Sequence, residues 1–361
     1  MKRTLSLAAL AAACLLLSGC ATPCGRPAAA SPEAALSAWN ADALARSALV
    51  SYVEAVTDDK SPDWIDPEHR VAVFDLDGTL FCETDPNYFD YMLLVHRVTE
   101  DPDYKDRASE FERETVRKIL VMNETGEAAP GLETDHGKAV ASAFAGLTLD
   151  EFHRYVQAFK AAPMPSYKGM TRGEGFYRPM LQVVDYLSRH GFAVWVVSGT
   201  DRFIVRGLVA GSPLAVPPDR IIGSDETVVA AGRGDEDGLG YQLAAGQDVV
   251  LGGRFVVKNL KMNKVSAIVR EIGVRPVLAF GNSTGDSSMA TYVTSGNPRR
   301  SMAVMLCCDD TERENGNPAK AEKMRELCER NGWIPVSMKN DWKAIYGDAR
   351  SSTRTPPPTS P

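Results

Sequence analysis

Apolar residues fall into two rhythms along this chain. Val71-Ala72-Val73-Phe74 is an unbroken apolar run that stops at Asp75-Leu76-Asp77-Gly78-Thr79-Leu80. Phe192–Val197 and Val277–Phe280 are further runs of this kind. They end in Ser198-Gly199-Thr200 and in Gly281-Asn282-Ser283-Thr284-Gly285-Asp286. Short continuous runs bounded by turn residues read as strands buried on both faces, as in a parallel sheet. Helical spacing separates them. Residues 178–190 carry Pro179 in the first turn, apolar Met180, Val183, Val184 and Leu187, and Gly191 as a stop. Residues 264–272 place Val265, Ile268, Val269 and Ile272 on one stripe, closed by Gly273. Met302–Leu306 and Trp333–Val336 read as two more strands around a helix at 318–330. Strands alternating with helices predict an α/β fold: a Rossmann-like parallel sheet with helices on both faces.

Between the first and second strands the pattern is helical throughout. The spacing predicts helices over Tyr88–Val98, Tyr104–Asn123, Leu132–Ala145 and Thr148–Lys160. In the last of these, Thr148 and Glu151 form a capping-box pair. Leu149, Phe152, Tyr155, Val156 and Phe159 make its apolar stripe. An all-helical insertion is therefore expected over 86–172, with Gly169, Gly173 and Gly175 as a flexible return to a core of 33–85 and 173–348. Residues 33–56 are Ala-rich, with Leu36, Trp39, Leu44, Leu49, Val53 and Val56, and predict one helix on that core. Ile221–Gly223, Thr227–Ala230, Gly240–Leu243 and Asp248–Leu251 are β-like runs split by Gly and Asp, read as a small hairpin excursion.

The termini do not belong to this fold. Lys2 and Arg3 precede an apolar stretch from Leu5 to Leu17, followed by Ser18-Gly19-Cys20. That is a secretory leader over 1–19 with a lipobox, and it makes Cys20 the lipidated first residue of the mature chain. A plain signal peptide cleaved near Ala21 is the alternative. The apolar stretch is too short for a membrane span. Residues 20–32 are Ala/Pro-rich and read as a tether, and 349–361 as a disordered Ser/Thr/Pro-rich tail. In the lipoproteins that this leader resembles, Ala rather than Asp after the cysteine goes with the outer membrane. The expected place is the bacterial cell envelope, facing the periplasm.

Composition narrows the partners. The 361-residue chain is 44% apolar and 24% charged, ordinary for a globular protein. Its net charge of −7 becomes −9 once Lys2 and Arg3 leave with the leader, with 38 basic residues against 47 acidic ones. An acidic mature protein argues against nucleic acid, which needs a basic face. Of seven cysteines, Cys14 is lost with the leader and Cys20 is lipidated. Cys24, Cys82, Cys307, Cys308 and Cys328 remain, without zinc-ligand spacing. Outside the cytoplasm, Cys307 or Cys308 could pair with Cys328, buried free thiols being the alternative. The five histidines are scattered and carry no ligand spacing.

The chemistry sits at the strand ends, where open α/β sheets bind ligands. Asp75 and Asp77 are clustered carboxylates, costly unless a cation joins them. Alone, they also fit an Asp-Gly turn on an acidic loop. Lys264 opens the helix at 264–272, before the third strand, with Lys258 and Lys261 as competitors. Asp-x-Asp-Gly-Thr, then a strand ending in Ser198, then Lys264, then a strand ending in Asn282 and Asp286, resembles the four motifs of the haloacid dehalogenase superfamily. Within it the resemblance is to phosphatases of the phosphoserine phosphatase-like branch, over most of residues 70–310.

That resemblance implies Mg²⁺-dependent hydrolysis of a small phosphomonoester, and it makes the insertion at 86–172 a cap. It assigns Asp75 as a nucleophile that becomes an aspartyl-phosphate, and Asp77 as general acid and base. Thr79 positions the loop, Ser198 and the Gly199 N–H hold phosphoryl oxygens, and Lys264 neutralises charge. Asp75, Asp77, Asn282 and Asp286 would hold Mg²⁺. Asn282 departs from the pattern, standing where the family commonly has Asp. Asp77 argues against a dehalogenase, which lacks the second acid. Glu83 lies eight residues after Asp75, one short of the Glu that contacts the substrate amine in phosphoserine phosphatases. With Asp85 it is the candidate for meeting a cationic leaving group, as in phosphoserine, phosphoethanolamine or phosphocholine; a solvated loop carboxylate is the alternative. The rival function is a non-catalytic lipoprotein that uses a degraded fold of this type for binding.

Overall fold

A computed structural model describes residues 31–234 and 236–347. The leader, Cys20, Cys24, most of the tether and the tail from 349 on lie outside the described residues. Among the described residues, no helix is long and apolar enough to cross a membrane.

The apolar runs form one seven-stranded sheet. Its strands are β1 (Val71–Phe74), β2 (Ala193–Asp201), β3 (Ile221–Ala230), β4 (Val249–Val257), β5 (Leu278–Gly281), β6 (Met302–Cys307) and β7 (Ile334–Ser337). The order is β4-β3-β2-β1-β5-β6-β7, and every pair is parallel except β3 with β4. β1 is central and wholly buried, with Phe74 in register with Val196 of β2 and Phe280 of β5. Alternate side chains of a strand point to opposite faces. Ala72 and Phe74 accordingly join one apolar layer, and Val71 and Val73 the other. Phe74 stacks on Phe280 with ring centroids 4.1 Å apart. Helices cover both faces, so the α/β expectation holds.

The residues between β1 and β2 fold into helices Phe89–Thr99, Glu110–Thr125, Leu132–Ala143 and Leu149–Lys160. The second begins six residues later than its apolar spacing predicts. Ser109 and Glu112 form a capping box there, which fixes the start. The Thr148–Glu151 capping box forms as expected.

Three expectations are corrected. The stretch at 33–56 is two helices, Pro32–Ala35 and Leu44–Thr57. Trp39 between them makes a bridge to Trp342, which takes that segment out of helical geometry. The excursion at 221–257 is a ten-residue strand and a nine-residue strand that extend the main sheet. Gly252 and Gly253 are tolerated because β4 is an edge strand with register shifts against β3. Gly240–Leu243 contributes no strand. Cys82, Cys307, Cys308 and Cys328 are all free thiols. Cys307 and Cys328 are buried in the same apolar layer, where a thiol packs as a small apolar side chain.

Candidate active site

The site starts where β1 runs out. The Asp75 N–H donates to the Phe280 carbonyl at 2.9 Å, so the ladder holds Asp75 against β5 for one residue past the strand. The chain then turns tightly, with the Gly78 N–H donating to the Phe81 carbonyl at 2.7 Å. Gly78 has φ +75°, and a Cβ there would sit 1.8 Å from Asn282 Nδ2. Glycine is required at that position by conformation and by space. The turn swings Asp77 beside Asp75 rather than to the opposite face of the sheet.

Lys264 joins the strand ends. Its Nζ donates to Asp75 Oδ1 at 2.5 Å and to Asp286 Oδ1 at 2.7 Å, and the side chain is fully buried. Of the three competing lysines, this is the one on Asp75. Asp286 Oδ2 accepts from the Asn282 N–H, the Ser283 N–H and the Ser283 hydroxyl, each at 3.1 Å. Thr79 Oγ1 lies 3.5 Å from Asp75 Oδ2. Burial, followed by the Asp286 charge, pushes Asp75 up to about 7 against the pull of Lys264. Burial works against the Lys264 ammonium, but Asp286 and Asp75 outweigh it and raise its pKa. Burial, then the charges of Asp90 and Asp75, hold the Asp77 carboxyl well above the usual range.

The second strand delivers a residue that sequence reasoning missed. Thr200 Oγ1 donates to Asp77 Oδ2 at 2.8 Å. Ser198 is fully buried, and its hydroxyl oxygen accepts from the Thr200 N–H at 3.0 Å. Gly199 and Thr200 line the cavity, and Ser198 stands behind them. The signal was there in a second hydroxyl two residues past Ser198.

Asp75, Asp77, Asn282 and Asp286 open into a cavity of about 300 Å³. Lys258, Lys261, Glu83 and Lys320 line it from the core, and Tyr88, Asp90, Tyr91 and Glu133 from the helical insertion. Glu83 pairs with Lys320 at 3.4 Å. Asp85 is not brought there; it is buried, accepting from the Ser166 N–H at 2.8 Å and Arg172 Nη1 at 3.0 Å. The insertion residues belong to no motif. Asp90 could have been noticed as a lone acid on an apolar helix stripe between Phe89 and Leu93.

The model of the haloacid dehalogenase-like hydrolases matches residues 72–291, more than half of the chain. The chain belongs to that family. No curated protein matches the sequence significantly. Among solved structures, a conserved protein of unknown function from Anaerococcus prevotii DSM 20548 superimposes with TM-score 0.50 at 14% identity, over 81% of this chain and 91% of that one. Cytosolic 5'-nucleotidase IIIB bound to cytidine gives TM-score 0.48 at 12% identity, over 81% and 84%. Phosphoserine phosphatase in its apo form gives 0.36 at 17% identity, over 73% and 98%. At 14% identity, the likeness to the Anaerococcus prevotii protein speaks to fold alone.

Within this haloacid dehalogenase-like hydrolase, the donor chemistry fits a hard divalent cation. Asp75, Asp77, Asn282 and Asp286 offer the oxygen ligands that Mg²⁺ takes. Asp77 Oδ1 is buried without a hydrogen-bond partner. Asp75 and Asp286 share the buried Lys264 ammonium, and Asp77 stands beside them with no cationic partner among the described residues. Among the described residues, no three His, Cys, Asp or Glu side chains already enclose a cation position. Asp75 and Asp286 both turn toward Lys264 instead.

Proposed function

We propose that this hydrolase is an Mg²⁺-dependent phosphomonoesterase working through an aspartyl-phosphate. The observation that carries this reading is the Asp75 carboxylate, placed at the end of the central strand, lining the cavity, and held 2.5 Å from the Lys264 ammonium with Asp77 alongside. Asp75 attacks phosphorus in line and forms the acyl phosphate as the ester oxygen departs. Asp77, oriented by Thr200, gives that oxygen its proton and then takes one from the water that cleaves the intermediate. Lys264 stays charged and offsets the negative charge gathered at Asp75. The Gly199 N–H borders the phosphoryl position, Thr79 stands behind Asp75, and Ser198 supports the loop through Thr200. Mg²⁺, held by Asp75, the Asp77 backbone carbonyl, Asn282 and Asp286, would supply electrophilic stabilisation of the phosphoryl oxygens.

The helical segment 86–172 acts in this reading as a cap, since its side chains form one wall of the cavity. The substrate is a small metabolite, with an amino-alcohol phosphate such as phosphoserine or phosphocholine as the favoured class. Lipidation of Cys20 would place the reaction at the cell envelope. The binding-protein alternative has Asn282 in its favour, and the intact set of Asp75, Asp77, Thr200 and Lys264 against it. p-Nitrophenyl phosphate turnover with and without Mg²⁺ tests the proposal. We expect metal-dependent turnover in the wild type and at least about a hundredfold loss in Asp75→Asn. Metal-independent turnover, or an Asp75→Asn variant as fast as wild type, contradicts it.

A further inference from the structure

The cavity has two chemically different walls. The core wall carries Lys258, Lys261 and Lys320 around the reacting carboxylates. The wall from the helical insertion carries Tyr88, Asp90, Tyr91 and Glu133, and no cation. The Tyr88 and Tyr91 rings stand edge to face, with centroids 5.3 Å apart. The Glu83 charge and burial raise the Tyr88 phenol, and burial and the Asp90 charge raise that of Tyr91, so both rings stay neutral and keep electron-rich faces.

Asp90 is the unexplained member of this wall. It is 2% exposed, and its Oδ1 has no hydrogen-bond partner. Its Oδ2 faces His136 Nδ1 at 3.8 Å, beyond hydrogen-bond length. Burial pushes the His136 imidazole down to about 4, so it is neutral near pH 7 and does not offset the carboxylate. Lys258 borders the same cavity from the core, but among the described residues it forms no ion pair with Asp90. A buried carboxylate with an unfilled oxygen lacks a cationic donor. Glu133 adds a second negative charge at the exposed rim of that wall.

We infer that this wall is the subsite for an ammonium group on the leaving alcohol, an inference that rests on the phosphomonoesterase reading. Aromatic faces flanked by carboxylates favour a cation. The unfilled Asp90 Oδ1 further selects an ammonium that still has N–H to donate. The substrate class is then the phosphomonoester of a primary amino alcohol, with a trimethylammonium alcohol second. Glu83 is displaced from that role, because its carboxylate is already paired with Lys320.

Two measurements on the full chain test this. Calorimetry with ethanolamine, choline and ethylene glycol, without phosphate, reads the subsite apart from the chemistry. Saturable ethanolamine binding, weaker choline binding and no ethylene glycol binding are expected, with ethanolamine lost by about tenfold or more in Asp90→Asn. The second measurement is the kcat/KM ratio of phosphoethanolamine to glycerol phosphate, which should fall by about tenfold in Asp90→Asn and several-fold in Glu133→Gln. Glu133 is exposed at a helix start, so that variant keeps the test alive should Asp90→Asn not fold. Ethanolamine no tighter than ethylene glycol, or a ratio unmoved in a folded variant, overturns the inference. Failure of the phosphatase reading itself would show differently: ethanolamine binding that depends on Asp90, without turnover of any phosphomonoester.

Discussion

At the scale of residues, the site is held by side chains that would be unfavourable elsewhere. Lys264 carries a charge with no exposed surface, and only Asp75 and Asp286 make that tolerable. Lys261 adopts φ 56° and ψ −124°, the second position of a type II′ turn closed by the Asn263 N–H on the Leu260 carbonyl at 3.1 Å. Glycine is the ordinary occupant there, and a lysine is strained. That strain brings the Lys261 side chain to the cavity and starts the helix carrying Lys264. Lys261→Gly should therefore stabilise the fold by about 1 kcal/mol in chemical denaturation while lowering phosphomonoester turnover. A variant that is both less stable and equally active would show that the turn is not strained and that the ammonium does no work.

At the scale of elements, the strands were legible because burial on both faces leaves continuous apolar runs, and all three runs that end at the site formed strands, β2 running past Ser198 to Asp201. Long amphipathic helices were legible from their stripes, but their ends were set by caps. Ser109 is the clearest case: its capping box with Glu112 starts a helix that apolar spacing alone places earlier. Ser109→Ala should cost about 1 kcal/mol, seen as a lower denaturation midpoint with an unchanged m-value. No change in midpoint would mean that packing alone fixes the helix start. β3 and β4 were legible only as short β-like runs, not as two long strands of the main sheet. An edge strand with register shifts against its partner accepts Gly252 and Gly253, which break its sequence into short pieces.

At the scale of the molecule, sequence motifs mark what the core contributes and are silent on the wall from the helical insertion. Asp75, Asp77, Asn282, Asp286 and Lys264 come from separate stretches, yet each sits at a recognisable strand or helix end. Tyr88, Asp90, Tyr91 and Glu133 meet only through packing of the insertion against the core, which no local pattern encodes. A buried glutamate ties distant parts together in a similar way. Glu314 accepts hydrogen bonds from the hydroxyls of Tyr167, Tyr177 and Tyr346, and its carbonyl accepts one from Thr84. Burial raises Glu314 to about 8 against the pull of the tyrosine hydroxyls. The folded chain thus keeps a proton that the unfolded chain releases above its ordinary value of 4.5. Stability from this group should be full below pH 4.5 and decline as pH rises to about 8. Thermal unfolding between pH 5 and pH 8 should show a smaller loss of Tm in Glu314→Gln than in wild type. An identical decline in both would remove Glu314 as its source.

The chemistry proposed for the whole molecule turns on one covalent bond, between Asp75 and phosphorus. Borohydride reduction of the enzyme, quenched during turnover of a phosphomonoester with Mg²⁺, reads that bond directly, because an acyl phosphate is reduced to an alcohol while a free carboxylate is not. Mass spectrometry should find homoserine in place of aspartate at position 75 in the wild type, and none without substrate. Turnover that leaves Asp75 unreduced, or reduction at another carboxylate, would contradict the aspartyl-phosphate mechanism.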